Sequence, residues 1–179
     1  MYLDRRIKWE LKVARAFVCP GQGAQFIGMG RDLAKSFPVA REVFQEVDDA
    51  LSQSLSQLMW EGEIRSLILT ENAQPALMAT SLAVARVLDS EGFGVETADF
   101  VAGHSLGEYS ALAIAGAVSA GDAAKLLRTR GKAMQAAVPI GIGAMAALIG
   151  LDFETVSKVA KEAAEYEVCE AANDNDPAQ

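Results

Sequence analysis

Histidine is nearly missing from this chain: His104 is the only one in 179 residues, beside two cysteines, Cys19 and Cys169. The cysteines are far apart and outside any C-x-x-C spacing, so too few soft ligands exist for zinc. Two reduced thiols in a cytoplasmic protein are the expectation, with neither metal nor bound cofactor. Basic residues are also short. A count of 16 Lys and Arg against 24 Asp and Glu gives a net charge of -8, which opposes binding to nucleic acid. The opening "MYLDRRIKWELKVA" is no signal peptide, because Lys8, Glu10 and Lys12 interrupt any apolar stretch. The uncharged run from Ala133 to Leu151 is long enough to suggest a membrane span. Gln135, Pro139, Gly141 and Gly143 break it into helix end, loop and strand instead. Repeats, low-complexity segments and a Walker loop are absent as well; "GIGAMA" fits a dinucleotide fingerprint by letters, but no strand leads into it.

What is present is a globular composition, 51% apolar and 22% charged. A chain of this size buries about 70% of its unfolded surface, enough for a core. "ARAFVC" reads as a strand running into the loop "PGQGAQ". From Pro38, itself suited to a first helical position, Val39, Val43, Phe44, Val47, Ala50 and Leu51 repeat at helical spacing. A second helix is expected to begin near Pro75 and to stop at Gly92; "DFVAG" then supplies a strand. Between Leu106 and Val118 Glu108 is the single charge, so that helix should be buried on nearly every side. Strands alternating with helices imply an α/β protein with a mainly parallel sheet. Towards the end, "GAMAALIGL" and "EVCEA" are strand candidates on either side of an amphipathic helix, "DFETVSKVAKEAAEYE". That run resembles half of a small domain.

Three segments carry residues suited to chemistry. In "VAGHSLGEYSALAIAG", Ser105 sits in G-x-S-x-G between strand and helix, the setting of a nucleophile elbow. Gly103 and Gly107 relieve crowding there, and the helix N-terminus offers free N–H groups to an oxyanion. His104 is a poor base for its neighbour, since consecutive side chains at a strand end point to opposite faces. In "KLLRTRGKAM", a helix that Ser119 or Asp122 is placed to cap, Lys125, Arg128 and Lys132 form one stripe and read as a solvated face. Arg130 falls on the other side, between Leu126 and Met134, and needs a partner for its guanidinium. A structural carboxylate and a substrate carboxylate both remain open. In "PGQGAQ" two glycines let the backbone approach a ligand, and Gln22 can donate or accept.

Taken in order, "FVCPGQGAQFIGMG", "TENAQPALMATSLA", "GHSLGEYSALAIAG" and "RTRGKAMQ" resemble the malonyl-CoA:acyl-carrier-protein transacylase family and the acyltransferase domains of fatty-acid and polyketide synthases. The resemblance runs from about Ala14 to Gln179. It implies an α/β-hydrolase-like core with a parallel sheet over residues 14–140, and the start of an inserted ferredoxin-like small domain, incomplete, over 141–179. It implies Ser105 as nucleophile and Arg130 as the partner of the malonyl carboxylate. Gln22 and the backbone N–H of Leu106 match the oxyanion hole, while Gln74, with His104, matches the site lining. Malonyl-CoA would be the substrate, and acyl carrier protein the partner that brings the phosphopantetheine thiol, in fatty acid biosynthesis.

The chain departs from the family in three ways. Family members are longer and carry their catalytic histidine beyond the point where this chain stops, so an N-terminal portion, nearly inactive by itself, is expected. The core and the small domain lack later strands, which predicts exposed sheet edges. Residues 1–13 precede the usual family start and are expected to be a flexible extension. A serine esterase or thioesterase of α/β-hydrolase type and a non-catalytic fragment are the alternative readings.

Overall fold

The computed structural model describes residues 14–139 and 141–179; the extension expected over 1–13 lies outside the described residues. Two strands, β1 (Ala16–Cys19) and β2 (Phe100–Gly103), pair in parallel with Ala16 opposite Phe100 and Cys19 opposite Gly103. Parallel neighbours require a crossover. Here it runs through α1 (Arg31–Ser36), α2 (Pro38–Leu51), α3 (Leu55–Glu61), α4 (Ile64–Leu67), α5 (Thr70–Ser90) and a 3-10 turn, Val95–Thr97. Asp99 locks the start of the pair: its carboxylate accepts the Arg15 N–H at 3.0 Å and its own N–H donates to the Arg15 carbonyl at 2.8 Å. After β2 come α6 (Gly107–Ile114) and α7 (Ala120–Ala137). The expected α/β class with a small parallel sheet is what forms.

Helices dominate the core. Val43, Phe44 and Val47 of α2 meet Ala76, Ala79, Leu82 and Ala83 of α5 and Ala123, Ala124 and Leu127 of α7, all buried. The alanines let helix axes approach closely, and packing of the amphipathic faces is the main source of stability. Pro38 is the first residue of α2, as its missing N–H favours. Pro75 is different. It lies inside α5, five residues after Thr70, because the tertiary packing of "TENAQ" extends the helix upstream of the proline. Gly92, at φ 82°, takes the chain out of that helix where the sequence suggests.

The sheet is covered on one side. Phe17, Cys19, Val101 and Gly103 point inward, whereas Val18 and Phe100 on the opposite face are 75% and 64% exposed. Apolar residues on both faces are the mark of a strand built for burial on both faces. This also corrects the expectation for α6. Leu112 is 42% exposed, because a two-stranded sheet and its helices enclose only part of that apolar helix.

The described residues divide after Val138 into two compact units. Pro139–Gln179 contains α8 (Phe153–Ala164), capped by Asp152, whose carboxylate accepts the Thr155 N–H at 2.7 Å. That hydrogen bond holds the Asp152 carboxyl below its usual range. Neither "GAMAALIGL" nor "EVCEA" forms a strand. Strand hydrogen bonds need a partner, and among the described residues these two segments do not pair with each other; Ile149 and Val168 remain exposed. Among the described residues, no helix is long and apolar enough to cross a membrane.

Candidate active site

The turn between β2 and α6 is made by His104, Ser105 and Leu106. Its tightness follows from the glycines on either side. A Cβ on Gly103 would collide with the Gly107 carbonyl, and one on Gly107 would strike the Cys19 carbonyl at the end of β1. Ser105 adopts φ 54°, a left-handed conformation that costs a non-glycine residue on the order of 1–3 kcal/mol. The strain lifts the serine clear of the sheet and leaves its side chain exposed. Backbone bonds fix the turn: His104 N–H donates to the Cys19 carbonyl at 3.1 Å, and Gly107 and Glu108 donate to His104 and Ser105. The Leu106 N–H has no acceptor among the described residues, while the Leu106 side chain is buried in the core.

Ser105 Oγ accepts a hydrogen bond from Arg130 Nη2 at 3.1 Å, and Arg130 Nη1 donates to Gln74 Oε1 at 2.7 Å. Three of the residues singled out from sequence are thereby joined in one chain of contacts. Gln74 is fully buried, and its Nε2 donates to Met134 Sδ at 3.3 Å, which orients the amide with its oxygen towards the arginine. Arg130 forms no ion pair among the described residues, so the structural carboxylate that an inward arginine usually takes is replaced by a neutral amide. A cation held by an amide and a hydroxyl keeps its full charge available to an anion.

α7 delivers this arginine through a cap and a close contact. Ser119 accepts the Asp122 N–H at 3.0 Å and starts the helix, as the sequence suggests. Gly131 then rests against the first turn of α5: a Cβ would sit 2.5 Å from Glu71 Cα and 2.7 Å from the Thr70 carbonyl. Gly131→Ala is expected to push the two helices apart, lowering stability by about 1–3 kcal/mol in urea unfolding despite alanine's better helix propensity.

Two sequence expectations need correction here. Leu126 and Met134, beside which Arg130 was placed as on an apolar face, are 49% and 45% exposed; the buried face of α7 is Ala123, Ala124, Leu127 and Gly131. Arg128, expected on a solvated stripe with Lys125 and Lys132, is half-buried. It donates to Asn72 Oδ1 at 2.9 Å and to Gln53 Oε1 at 2.5 Å, and lies 3.9 Å from Glu71 Oε2. Spacing within one helix does not show where a second helix crosses it. The signal was in "TEN", whose polar side chains precede an otherwise apolar helix.

Gln22 lies exposed in the loop after β1. Its neighbour Gly21 approaches the turn: a Cβ there would sit 2.5 Å from His104 Nδ1. The imidazole thus lies over the loop backbone, on the Gly21 side of an exposed residue. Cys19, buried at the end of β1, has its thiol pushed up by burial and is no nucleophile candidate. No cluster of metal-binding side chains occurs among the described residues.

The family model described as "Acyl transferase domain" matches residues 16–176. The chain belongs to the acyl transferase domain family. Relatives include the malonyl CoA-acyl carrier protein transacylase of Bacillus subtilis, 50% identical over 92% of the chain and 51% of the relative. The crystal structure of an acyl-carrier-protein S-malonyltransferase from Bartonella henselae is 57% identical with a TM-score of 0.86, covering 91% of this chain and 52% of that one. A malonyl-transacylase solved in complex with a type II polyketide-synthase acyl carrier protein superposes with a TM-score of 0.85 at 44% identity, covering 93% and 53%. The chain thus spans about half the length of the relatives it matches.

Proposed function

We propose that this chain carries the nucleophile-bearing half of a malonyl-CoA:acyl-carrier-protein transacylase of fatty acid biosynthesis, working in the cytoplasm. The observation that carries the reading is the 3.1 Å contact of Arg130 Nη2 with Ser105 Oγ. A carboxylate on Arg130 and a reacting carbonyl on Ser105 are then the two ends of one short acyl group, which describes malonyl. In the reaction, Ser105 Oγ attacks the thioester carbonyl, the new C–O bond forms, and the carbon–sulfur bond breaks to release coenzyme A as its thiol. The tetrahedral oxyanion lies at the Leu106 N–H, with Gln22 as the second donor once its loop closes on the acyl group. The malonyl-serine ester waits with its carboxylate on the Arg130 fork, and the phosphopantetheine thiol of acyl carrier protein takes the acyl group in a second displacement.

Ser105 must lose a proton in the first step, and His104 lies over Gly21. We assign the base to a histidine in the half of the family's length that this chain does not span, and read residues 141–179 as the opening of the small ferredoxin-like domain. The test is incubation with malonyl-CoA and peptide mapping of the adduct, with and without the C-terminal half of the Bartonella henselae relative. One malonyl ester on Ser105 is expected, slow with the chain alone and about 10²–10⁴-fold faster with that half. Adduct on another residue removes Ser105 from the role. Coenzyme A release without any ester, and without carrier protein, would identify a thioesterase instead.

A further inference from the structure

The contacts between α5 and α7 form two rungs of similar chemistry. Asn72 Oδ1 accepts from Arg128 Nη1 at 2.9 Å, and Gln74 Oε1 accepts from Arg130 Nη1 at 2.7 Å. The rungs differ in what holds the other arm of each fork. Arg130 reaches exposed Ser105. Arg128 reaches Gln53 Oε1, which tethers it to the turn after α2, and it also has Glu71 at 3.9 Å. Asn72 is fixed independently, its Nδ2 donating to the Ser66 carbonyl at 2.9 Å, so the Arg128 rung is anchored from both helices.

Glu71 is the acidic residue in the first turn of α5, the helix that carries Gln74. It precedes Gln74 by three residues in one helix, which places the two on the same face, about 5–6 Å apart at Cβ. Its backbone also lies under Gly131, the residue after Arg130. A free carboxylate there competes for the Arg130 fork with the carboxylate of an acyl group. Arg128 and Glu71 are only 15% and 32% exposed, so their attraction is less screened than that of a surface pair. Burial lowers the affinity of Arg128 for its proton, and the nearby Glu71 charge opposes that.

We infer that Arg128 is a positioning residue that holds Glu71 away from Arg130, so that the Arg130 fork stays open to an anionic acyl group. The inference rests on the carboxylate role proposed for Arg130. It makes "RTR" a functional unit in which one arginine takes the internal carboxylate and the other is left for the external one. Arg128→Met, which keeps the bulk of the stem, frees Glu71 to swing onto Arg130. Arg128→Met with Glu71→Gln removes the competitor as well.

The test uses the 179-residue chain labelled with nitrogen-15 in arginine, and malonamate as a probe with one carboxylate and an acyl-like amide. Titration followed at the Arg130 Nε–H resonance is expected to give saturable binding that weakens at least tenfold in Arg128→Met. In Arg128→Met/Glu71→Gln binding is expected to return to within about threefold of the unsubstituted chain. Equal loss in the single and double variants, with the ligand-free Arg130 Nε–H resonance unmoved by either substitution, overturns the inference but leaves the carboxylate role standing. Equal loss with that resonance displaced in both ligand-free variants marks Arg128 as purely structural and overturns it too. No response of Arg130 in the unsubstituted chain overturns both readings.

Discussion

Ser105→Ala will take up no acyl label from malonyl-CoA, under conditions in which the unsubstituted chain, completed by the C-terminal half of the Bartonella henselae relative, is labelled stoichiometrically. The loss is expected to exceed 10³-fold, because nothing else at the turn can form the ester: His104 lies over Gly21, and Cys19 is buried at the strand end with its thiol proton retained. A second substitution separates chemistry from folding. Both Ser105→Ala and Ser105→Gly delete the hydroxyl, but only glycine accepts φ 54° without steric cost. Ser105→Gly should therefore be inactive yet at least as resistant to urea as Ser105→Ala. Residual labelling of either variant above one part in a thousand would move the nucleophile elsewhere. A glycine variant markedly weaker than the alanine one would remove the strain from the account.

Arg130→Ala should change which acyl group is transferred more than whether transfer occurs. Each charged hydrogen bond from a guanidinium is worth roughly 1.5–3 kcal/mol. Two to one carboxylate therefore predict a loss of about 10²-fold or more in kcat/KM for malonyl, while an acetyl group, having no carboxylate, loses little. The same substitution leaves Gln74 Oε1 buried without its donor, so a stability loss of about 1–3 kcal/mol accompanies it. Arg130→Lys distinguishes charge from shape. A lysine keeps the charge but cannot span Gln74 and Ser105 with one rigid fork, so malonyl preference should be only partly retained. Equal losses for malonyl and acetyl would refute the carboxylate role.

The strand, elbow and helix around Ser105 were legible because every determinant is local: two glycines, a serine and an apolar run lie within a few residues of one another. The α2 start at Pro38, the Ser119 cap and the exit at Gly92 are legible for the same reason. What could not be read is what depends on a second element. Arg128 looks solvated until α5 is laid across α7, and Pro75 looks like a helix start until the polar turn before it finds Arg128 and Gly131 as neighbours. Leu112 reads as buried because its helix is apolar on nearly every side, yet it is exposed where the two strands and their helices offer no cover. "GAMAALIGL" has the composition of a strand, but composition supplies no pairing partner.

The parallel pair of β1 and β2 also bears on when the turn can exist during folding. Arg15 and Asp99, which lock its start, are 84 positions apart. Closing a loop of that size costs on the order of 4 kcal/mol in chain entropy before any constant is added. Four residue pairs in a two-stranded ladder cannot supply that alone, so the intervening helices must collapse first and carry the strand ends together. The kinked serine is consequently among the last pieces to acquire its geometry. A chain caught part-way has no strained hydroxyl beside a cation, and so no means of capturing an acyl group before its helical layer is complete.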